Sequence, residues 1–155
     1  MSTVRQTRVL LFTATLGYGG SESDLLRLAR FLAKRWPVTI ALMARDYGSA
    51  DYSSAQTDTD LNVVVLGDTG QKDPSLIAKA MRWWKMLCGL RELKRRHDVT
   101  ISFLSGPNLL NALAGRRFPS IVSERGSKLH HVGISPVAKS LWLKVLDPLT
   151  YRLAG

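Results

Sequence analysis

Residues 9–35 read VLLFTATLGYGGSESDLLRLARFLAKR, and this stretch decides the fold class. Its first four residues, 9–12, are continuously apolar, which is typical of a strand buried on both faces of a sheet. A glycine-rich turn follows at 17–20, Ser21 is predicted as a helix N-cap, and leucines then recur at helical spacing. The next apolar run, 38–43, predicts a second strand. A strand, a helix and a strand in this order form a right-handed unit with parallel strands.

The rest of the chain repeats this alternation. Further strands are predicted from three apolar runs: 61–66, 99–104 and 120–123. Further helices are predicted from three periodic stretches: about 75–96, about 107–115, and from about 136 onward. The polar stretch 45–60 has no periodicity and is predicted to be a surface loop. This order predicts an α/β fold, a Rossmann-like three-layer sandwich with a mostly parallel sheet, formed as one domain by residues 1–155.

Length and composition limit the possible classes of protein. With 155 residues, 45% of them hydrophobic, the chain can bury the core of one domain, which excludes a disordered protein. The single cysteine, Cys88, cannot form a disulfide within the chain and is predicted to be buried in a helix. No apolar run is long enough for a signal peptide or a membrane-spanning helix, so a cytoplasmic location is expected.

The positive charge is concentrated in the second half of the sequence. Of 22 lysines and arginines, 14 lie within 76–155, together with 4 of the 12 acidic residues. Seven of these basic residues fall within 79–96, where Glu92 is the only acid. The asymmetry points to an anionic partner, which could be nucleic acid, a membrane surface or a phosphorylated substrate. A solvated basic helix face explains the same pattern, and the sequence leaves both readings open.

The helix predicted over 75–96 mixes these basic residues with apolar ones. At about 100° per residue, the apolar residues form one broad arc that includes Trp83 and Trp84. Tryptophans at this spacing are more typical of a core than of a contact surface, but the pattern alone does not separate a core helix from a surface-binding one. A basic amphipathic helix that carries tryptophan is also typical of a membrane-surface segment.

The candidate site is predicted from the loops that follow the strands. In a parallel sheet these loops meet at the carboxyl edge, where α/β proteins bind their ligands. The turn at 17–21 opens a helix N-terminus with small residues, and its N–H groups favour an anion such as a diphosphate. The alternative is a tight turn that needs glycine only for its backbone. The other loops at this edge are 44–46, 105–108 and 124–127.

Known nucleotide-binding motifs do not fit the first turn. A dinucleotide-binding fingerprint that starts at Gly17 would need glycine where Glu22 stands, and no Gly-Lys-Ser/Thr follows for a P-loop. Glu124 and Arg125 come directly after a predicted strand, where the arginine could hold a phosphate or close the loop through a salt bridge. The histidine pair at 130–131 has no suitably spaced partner, so no metal site is predicted.

Three stretches resemble a known enzyme family. Residues 9–35, the segment DVTISFLSGPNLLNALAG at 98–115 and the segment SIVSERGS at 120–127 are similar to the amino-terminal, acceptor-side domain of GT-B glycosyltransferases. The resemblance is closest to the large retaining family numbered four, whose bacterial members extend lipid-linked glycans for lipopolysaccharide, capsule or N-glycan precursors. It implies the amino-terminal half of a GT-B fold and a sugar-nucleotide-dependent transferase of the hexosyltransferase type.

The resemblance also implies roles at the carboxyl edge of the sheet. Gly19, Gly20 and Ser21 would lie against the diphosphate of a nucleoside-diphosphate sugar, a co-substrate, and neither a cofactor nor a metal is implied. Many members of the family carry a histidine after the fourth strand, a position that this chain fills with serine and glycine, so no catalytic residue is assigned. The donor and acceptor sugars would be bordered by Ser105, Gly106, Asn108, Glu124 and Arg125.

Partners follow from the same resemblance. The family pairs this domain with a carboxy-terminal domain whose two glutamates hold the donor, and that domain is expected to be absent from this chain, which alone is expected to be inactive. A lipid-linked or saccharide acceptor would bring the protein to the inner face of the cytoplasmic membrane as a peripheral protein. The residues expected to dock on that anionic surface are Lys79, Arg82, Lys85 and Arg91.

Two other function classes compete with this reading. A nucleic-acid-binding module would use the basic second half, but no recognition motif is present, so no nucleic acid is expected as a partner. A nucleotide-cofactor oxidoreductase would need a glycine spacing that the turn at 17–22 lacks.

Overall fold

The computed structural model describes residues 6–17, 19–45, 48–67, 75–115, 119–124 and 136–154. The strands are β1 (Val9–Thr13), β2 (Val38–Leu42), β3 (Leu61–Val65), β4 (Val99–Phe103) and β5 (Ser120–Ser123). The helices are α1 (Gly20–Ala33), α2 (Ala50–Thr57), α3 (Leu76–Arg96), α4 (Ser105–Leu113), α5 (Pro136–Leu141) and α6 (Asp147–Ala154), with a π-helical segment at Trp142–Leu146 between the last two.

The five strands form one sheet in the order β3-β2-β1-β4-β5, and every pairing in it is parallel. Every residue of β1 and β2 is buried, because these strands carry apolar side chains toward both faces of the sheet. The strand order reverses between β1 and β4, and a crevice at the carboxyl edge is expected where it does. The predicted α/β sandwich with a parallel sheet is confirmed.

Each face of the sheet has its own hydrophobic core. On one face, Leu25 of α1 and Tyr52 of α2 pack against β1, β2 and β3. On the other face, Met86 and Leu90 of α3 and Leu110 of α4 pack around β1. Helix α6 packs against α4 and β5, on the same face of the sheet as α3 and α4. No helix among the described residues is both long and apolar enough to cross a bilayer.

The prediction of a loop over 45–60 is wrong, because this stretch contains helix α2. Ser49 caps the helix, since its hydroxyl accepts a hydrogen bond from the backbone N–H of Tyr52 at 3.3 Å. Only Tyr52 and Ala55 of this helix are buried. A helix of two turns with only two buried side chains has too few apolar residues to show the 3.6-residue periodicity by which a helix is recognised in a sequence.

Helix α1 begins two residues earlier than predicted. Its N-cap is Gly19 and not Ser21, and no side chain caps it. The Ser21 hydroxyl lies inside the first turn and donates to Glu22 Oε2 at 2.6 Å. The earlier start places Glu22 at the third helical position, where its carboxylate can lie over the N-terminus.

The apolar arc predicted for α3 does not face the core as one surface. Cys88 is exposed, so its predicted burial is wrong, and Trp84 is 62% exposed, against the core reading that the sequence favoured for it. Trp83 is half-buried. It packs beside Met86 and Leu90 in the core on the face of the sheet that α3 and α4 cover. The arc is wider than the strip of helix that a single sheet can cover, and the sheet meets only one side of it.

Lys94 on the last turn of α3 is buried, with 3% exposure, although the sequence places it in a basic cluster. Its ammonium donates to the backbone carbonyl and to Oδ1 of Asn111 at 3.1 and 2.8 Å, to the carbonyl of Gly115 at 2.9 Å, and to Ser120 Oγ at 2.8 Å. The lysine therefore satisfies carbonyls at the end of α4 and connects α3, α4 and β5.

Gly67, which follows β3, is required by a close approach of two backbone segments. A Cβ at this position would collide with the carbonyl oxygen of Met43 after β2. We therefore expect Gly67→Ala to lower the free energy of unfolding by about 1–3 kcal/mol, measured by urea unfolding. The matched control is Gly106→Ala, where no described atom lies within 4 Å of the added Cβ and no loss of stability is expected. Equal stabilities of the two variants would contradict the prediction.

Candidate functional site

The loops after β1 and β2 run side by side at the carboxyl edge of the sheet. Backbone hydrogen bonds continue past the strands, from Met43 N to the carbonyl of Thr13 at 3.1 Å and from Ala44 N to that of Ala14 at 2.9 Å. Ser49 then ties the start of α2 to the first loop, because its hydroxyl donates to the backbone carbonyl of Leu16. The first turns of α1 and α2 are thereby held next to each other.

An open pocket of about 400 Å³ lies between these two helix starts. It is lined by Gly19, Gly20, Ser23, Ala50 and Asp51. The hydroxyl of Ser23 donates to Asp51 Oδ2 at 3.0 Å, and this bond joins the two helices at the pocket wall. The pocket offers hydrogen-bond donors, which are the backbone N–H groups at both helix starts. It also offers a hydrogen-bond acceptor, which is the carboxylate of Asp51.

The two glycines of the predicted diphosphate turn have different surroundings. A Cβ at Gly19 would collide with the carboxylate of Glu22, so this glycine makes room for an acidic side chain of the protein itself. At Gly20, no atom of the described residues lies within 4 Å of an added Cβ. The open backbone at the positive end of α1 is therefore that of Gly20, next to the carboxylate of Glu22.

A second group of candidate residues lies after β4 and β5. Ser105 Oγ donates to Glu124 Oε1 at 3.0 Å, so these two predicted site residues are in direct contact. Space for a side chain is also open at Gly106, in the first turn of α4. Leu104, directly before α4, has φ 74° and ψ 156°, a conformation that is rare outside glycine and costs about 1–3 kcal/mol. Such strain is typical of functional loops.

Asn108 lies in the protein interior, with 1% exposure. Its Oδ1 accepts from Ser102 Oγ at 2.8 Å, and its Nδ2 donates to the carbonyl of Ser123 at 3.1 Å. The Ser102 hydroxyl also accepts from Asn111 Nδ2 at 3.0 Å. The Asn108 side chain is thus enclosed in the protein and holds the end of β5, directly before Glu124.

The remaining predicted residues are placed as follows. Arg125 lies outside the described residues. Lys79, Arg82, Lys85 and Arg91 are on α3, where the two lysines are exposed and the two arginines are half-buried. The guanidinium of Arg91 donates to the carbonyl of Leu113 at 3.1 Å and so contacts the end of α4. In the part of the chain that the structure describes, no three histidine, cysteine or acidic residues come together as metal ligands.

Sequence reasoning missed Ser23 and Asp51, which line the pocket, and the strained Leu104. Asp51 lay in the stretch predicted as a loop, and only the serine before it, Ser49, carried a signal as a possible helix cap. The strain at Leu104 has no sequence signal, because leucine does not favour positive φ.

No protein-family model and no curated protein sequence matches the chain. Its structure is similar to that of a UDP-glucosyltransferase from Polygonum tinctorium capable of glucosylating indoxyl, solved with 3,4-dichloroaniline. The TM-score is 0.56 at 13% identity, over 94% of this chain and 34% of that one. It is also similar to UGT2 of Phytolacca americana, solved with UDP-2-fluoro-glucose and pterostilbene, with TM-score 0.50 and 11% identity, over 97% and 36% of the two chains. The chain thus spans about a third of the length of these enzymes and shares the fold of that part.

Proposed function

We propose that this chain is the acceptor-binding half of a sugar-nucleotide-dependent glycosyltransferase. The observation that carries the proposal is the pocket between the starts of α1 and α2, at the carboxyl edge of a sheet whose fold matches part of a UDP-glucosyltransferase. Ligands of open parallel sheets bind at this edge. The co-substrate proposed is a nucleoside-diphosphate sugar, with no further cofactor.

The polar groups of the pocket suit an acceptor that carries hydroxyl groups. A carboxylate only accepts hydrogen bonds when it is ionised, so Asp51 in the pocket wall is matched to the hydroxyl donors of an acceptor. The backbone at Gly20 is not covered by a side chain, so the diphosphate of the sugar donor could bind at the N-terminus of α1 there. The contact between Ser105 and Glu124 would border the sugars from the other side of the crevice.

The donor would be bound mainly by a second, donor-binding domain, which we propose as the partner of this chain. In the reaction, a bond forms between the acceptor oxygen and the anomeric carbon while the bond from that carbon to the diphosphate breaks. The nucleoside diphosphate leaves with the electron pair of the broken bond, and the proton of the acceptor hydroxyl is released. Retention of the anomeric configuration, membership of family four, a hexosyl donor and a lipid-linked glycan acceptor are the finer parts of the proposal. They rest on the resemblance of residues 9–35, 98–115 and 120–127. A cytoplasmic location belongs to the same proposal.

Gly20→Leu is the sharpest test of this function. No atom of the described residues lies within 4 Å of a Cβ added at Gly20, and the leucine side chain would extend from there into the open space over the N-terminus of α1, so the fold is expected to stay intact. Transfer of radiolabelled sugar is expected to fall roughly a hundredfold, because the diphosphate loses its approach to the backbone donors. Gly20→Ala is expected to cause a smaller loss. The assay uses the enzyme with its donor domain, a panel of nucleotide sugars, and polyprenyl-linked and free saccharide acceptors.

Arg27→Ala is the matched control, because Arg27 lies on the same helix with 81% side-chain exposure. Its ion pair with Asp24 is exposed and contributes little stability. This variant is expected to keep the wild-type transfer rate. The proposal is wrong if no nucleotide sugar in the panel acts as donor, or if Gly20→Leu transfers sugar as fast as Arg27→Ala.

A further inference from the structure

A continuous series of hydrogen bonds runs through the interior of the protein from helix α3 to the end of β5. Four polar side chains form it, and each of them is at most 3% exposed. They come from three different elements: Lys94 of α3, Ser102 of β4, and Asn108 and Asn111 of α4. We call these four residues the buried polar chain.

Each member of the buried polar chain donates a hydrogen bond to the next. Lys94 Nζ donates to Asn111 Oδ1 at 2.8 Å, and Asn111 Nδ2 donates to Ser102 Oγ at 3.0 Å. The Ser102 hydroxyl donates to Asn108 Oδ1 at 2.8 Å. Asn108 Nδ2 then donates to the backbone carbonyl of Ser123, the last residue of β5, at 3.1 Å.

The two ends of the buried polar chain fix its direction. An ammonium group can only donate hydrogen bonds, and a backbone carbonyl can only accept them. If the amide of Asn111 were turned over, its NH₂ group would face the ammonium of Lys94. If the amide of Asn108 were turned over, its oxygen would face the carbonyl oxygen of Ser123. Only one arrangement therefore satisfies all of these buried groups, and it holds both amides in one orientation.

The far end of the buried polar chain meets the backbone that carries two candidate site residues. The carbonyl of Ser123 also accepts the backbone N–H of Leu104 at 3.2 Å, and the carbonyl of Leu104 accepts the backbone N–H of Asn108 at 2.9 Å. Leu104 is the residue with positive φ. Ser105 and Glu124 come next in the two segments, and they are bonded to each other at 3.0 Å.

Stability alone is a weak explanation for four polar side chains at this place. Burial removes their hydration, and apolar side chains of similar volume are often as stable in a protein core. A satisfied polar network adds rigidity and a defined orientation of its members. The strained backbone of Leu104 needs such support, because a residue keeps an unfavourable φ only where its surroundings hold it there.

We propose that the buried polar chain positions the two loops of the candidate site that follow β4 and β5. Its members are positioning residues, because they are buried and act on Ser105 and Glu124 only through the backbone of Leu104 and Ser123. An effect on sugar transfer rests on the proposed function, whereas the effect on the two loops does not.

Amide hydrogen exchange of Ser102→Ala tests the positioning. The substitution removes one hydroxyl from the middle of the buried polar chain and changes the volume of the side chain little. The backbone N–H of Leu104 is expected to exchange at least about tenfold faster than in the wild type, beyond any change at Leu11. Leu11 is fully buried on the central strand and reports global unfolding. Asn108→Ala, a second variant, is expected to give the same excess.

Ile40→Val is the matched control, because Ile40 is fully buried on β2 and lies outside the buried polar chain. It is expected to lower the melting temperature by a few degrees, as Ser102→Ala does. Exchange at Leu104 is expected to change in this variant only as much as exchange at Leu11. The positioning is refuted if neither polar variant shows the excess at Leu104, or if Ile40→Val shows it equally.

Sugar transfer by the enzyme with its donor domain provides the second measurement. The kcat of Ser102→Ala is expected to fall about tenfold, because displaced site residues lose their alignment, while Ile40→Val stays within about twofold of the wild type. A wild type that transfers no sugar contradicts the proposed function alone, since hydrogen exchange decides the positioning separately. Faster exchange at Leu104 with an unchanged kcat overturns the role of the buried polar chain at the site.

Discussion

Lys94→Met is expected to lower the free energy of unfolding by about 3 kcal/mol, measured by urea unfolding at neutral pH. Methionine keeps the length of the side chain but donates no hydrogen bond. Of the four oxygens that Lys94 now contacts, the two on the fully buried Asn111 would lose this donor inside the protein. Buried acceptors without a donor carry the full cost of their lost hydration, so the loss exceeds that of an ordinary surface substitution.

The pH dependence gives Lys94 a separate signature. Burial lowers the pKa of its amine to about 8, from 10.5. Between these two values the unfolded chain binds more protons than the folded protein. Measured relative to Lys94→Met, the free energy of unfolding of the wild type is therefore expected to rise from about pH 8 to about pH 10.5. Below pH 8 the lysine carries its charge in both states, and the difference is expected to be constant.

Lys85→Met is the matched control for this prediction, since Lys85 lies on the same helix and is exposed. Its stability is expected to stay within about 0.5 kcal/mol of the wild type, with no pH-dependent difference. The interpretation of Lys94 as a buried connector fails if both methionine variants unfold at the same urea concentration.

Phe12→Ala is expected to destabilise the protein by about 3–5 kcal/mol. Phe12 is fully buried on the central strand β1, where it packs with Met86, Leu90 and Leu110 between the sheet and helices α3 and α4. Truncation removes most of an aromatic ring from close-packed surroundings, and strands on both sides of β1 limit how far the cavity can collapse. Calorimetry or urea unfolding measures the loss.

Phe31→Ala is the control that separates the effect of burial on stability from the effect of removing a phenylalanine ring. Phe31 lies on α1 with 64% exposure, so the same truncation there is expected to change the stability by less than about 1 kcal/mol. A loss at Phe12 no larger than at Phe31 would mean that β1 is not at the centre of the core.

The position of the candidate site could be predicted from the sequence, but several of the side chains that form it could not. The carboxyl edge of the sheet follows from parallel strands, and the contact between Ser105 and Glu124 joins two residues that the sequence had placed there. The carboxylate of Glu22 over Gly19 was not expected, because a glycine that accommodates a side chain of the same helix looks like one that accommodates a ligand. The pocket wall at Asp51 required the helix α2, which local periodicity did not reveal.

The sequence alone determined the fold class and the order of the strands and of every described α-helix except α2. Continuously apolar runs such as 9–12 form strands buried on both faces, and periodic leucines from Leu25 onward form a helix, because both signals depend on neighbouring residues only. Only the tertiary structure decided which side of each helix is covered. Lys94 is buried and Trp84 is exposed on the same helix, against the ordinary preference of both residue types. The physical reason is that α3 offers more apolar arc than one sheet can cover, so its orientation on the sheet depends on contacts with α4 and β5 that are distant in sequence.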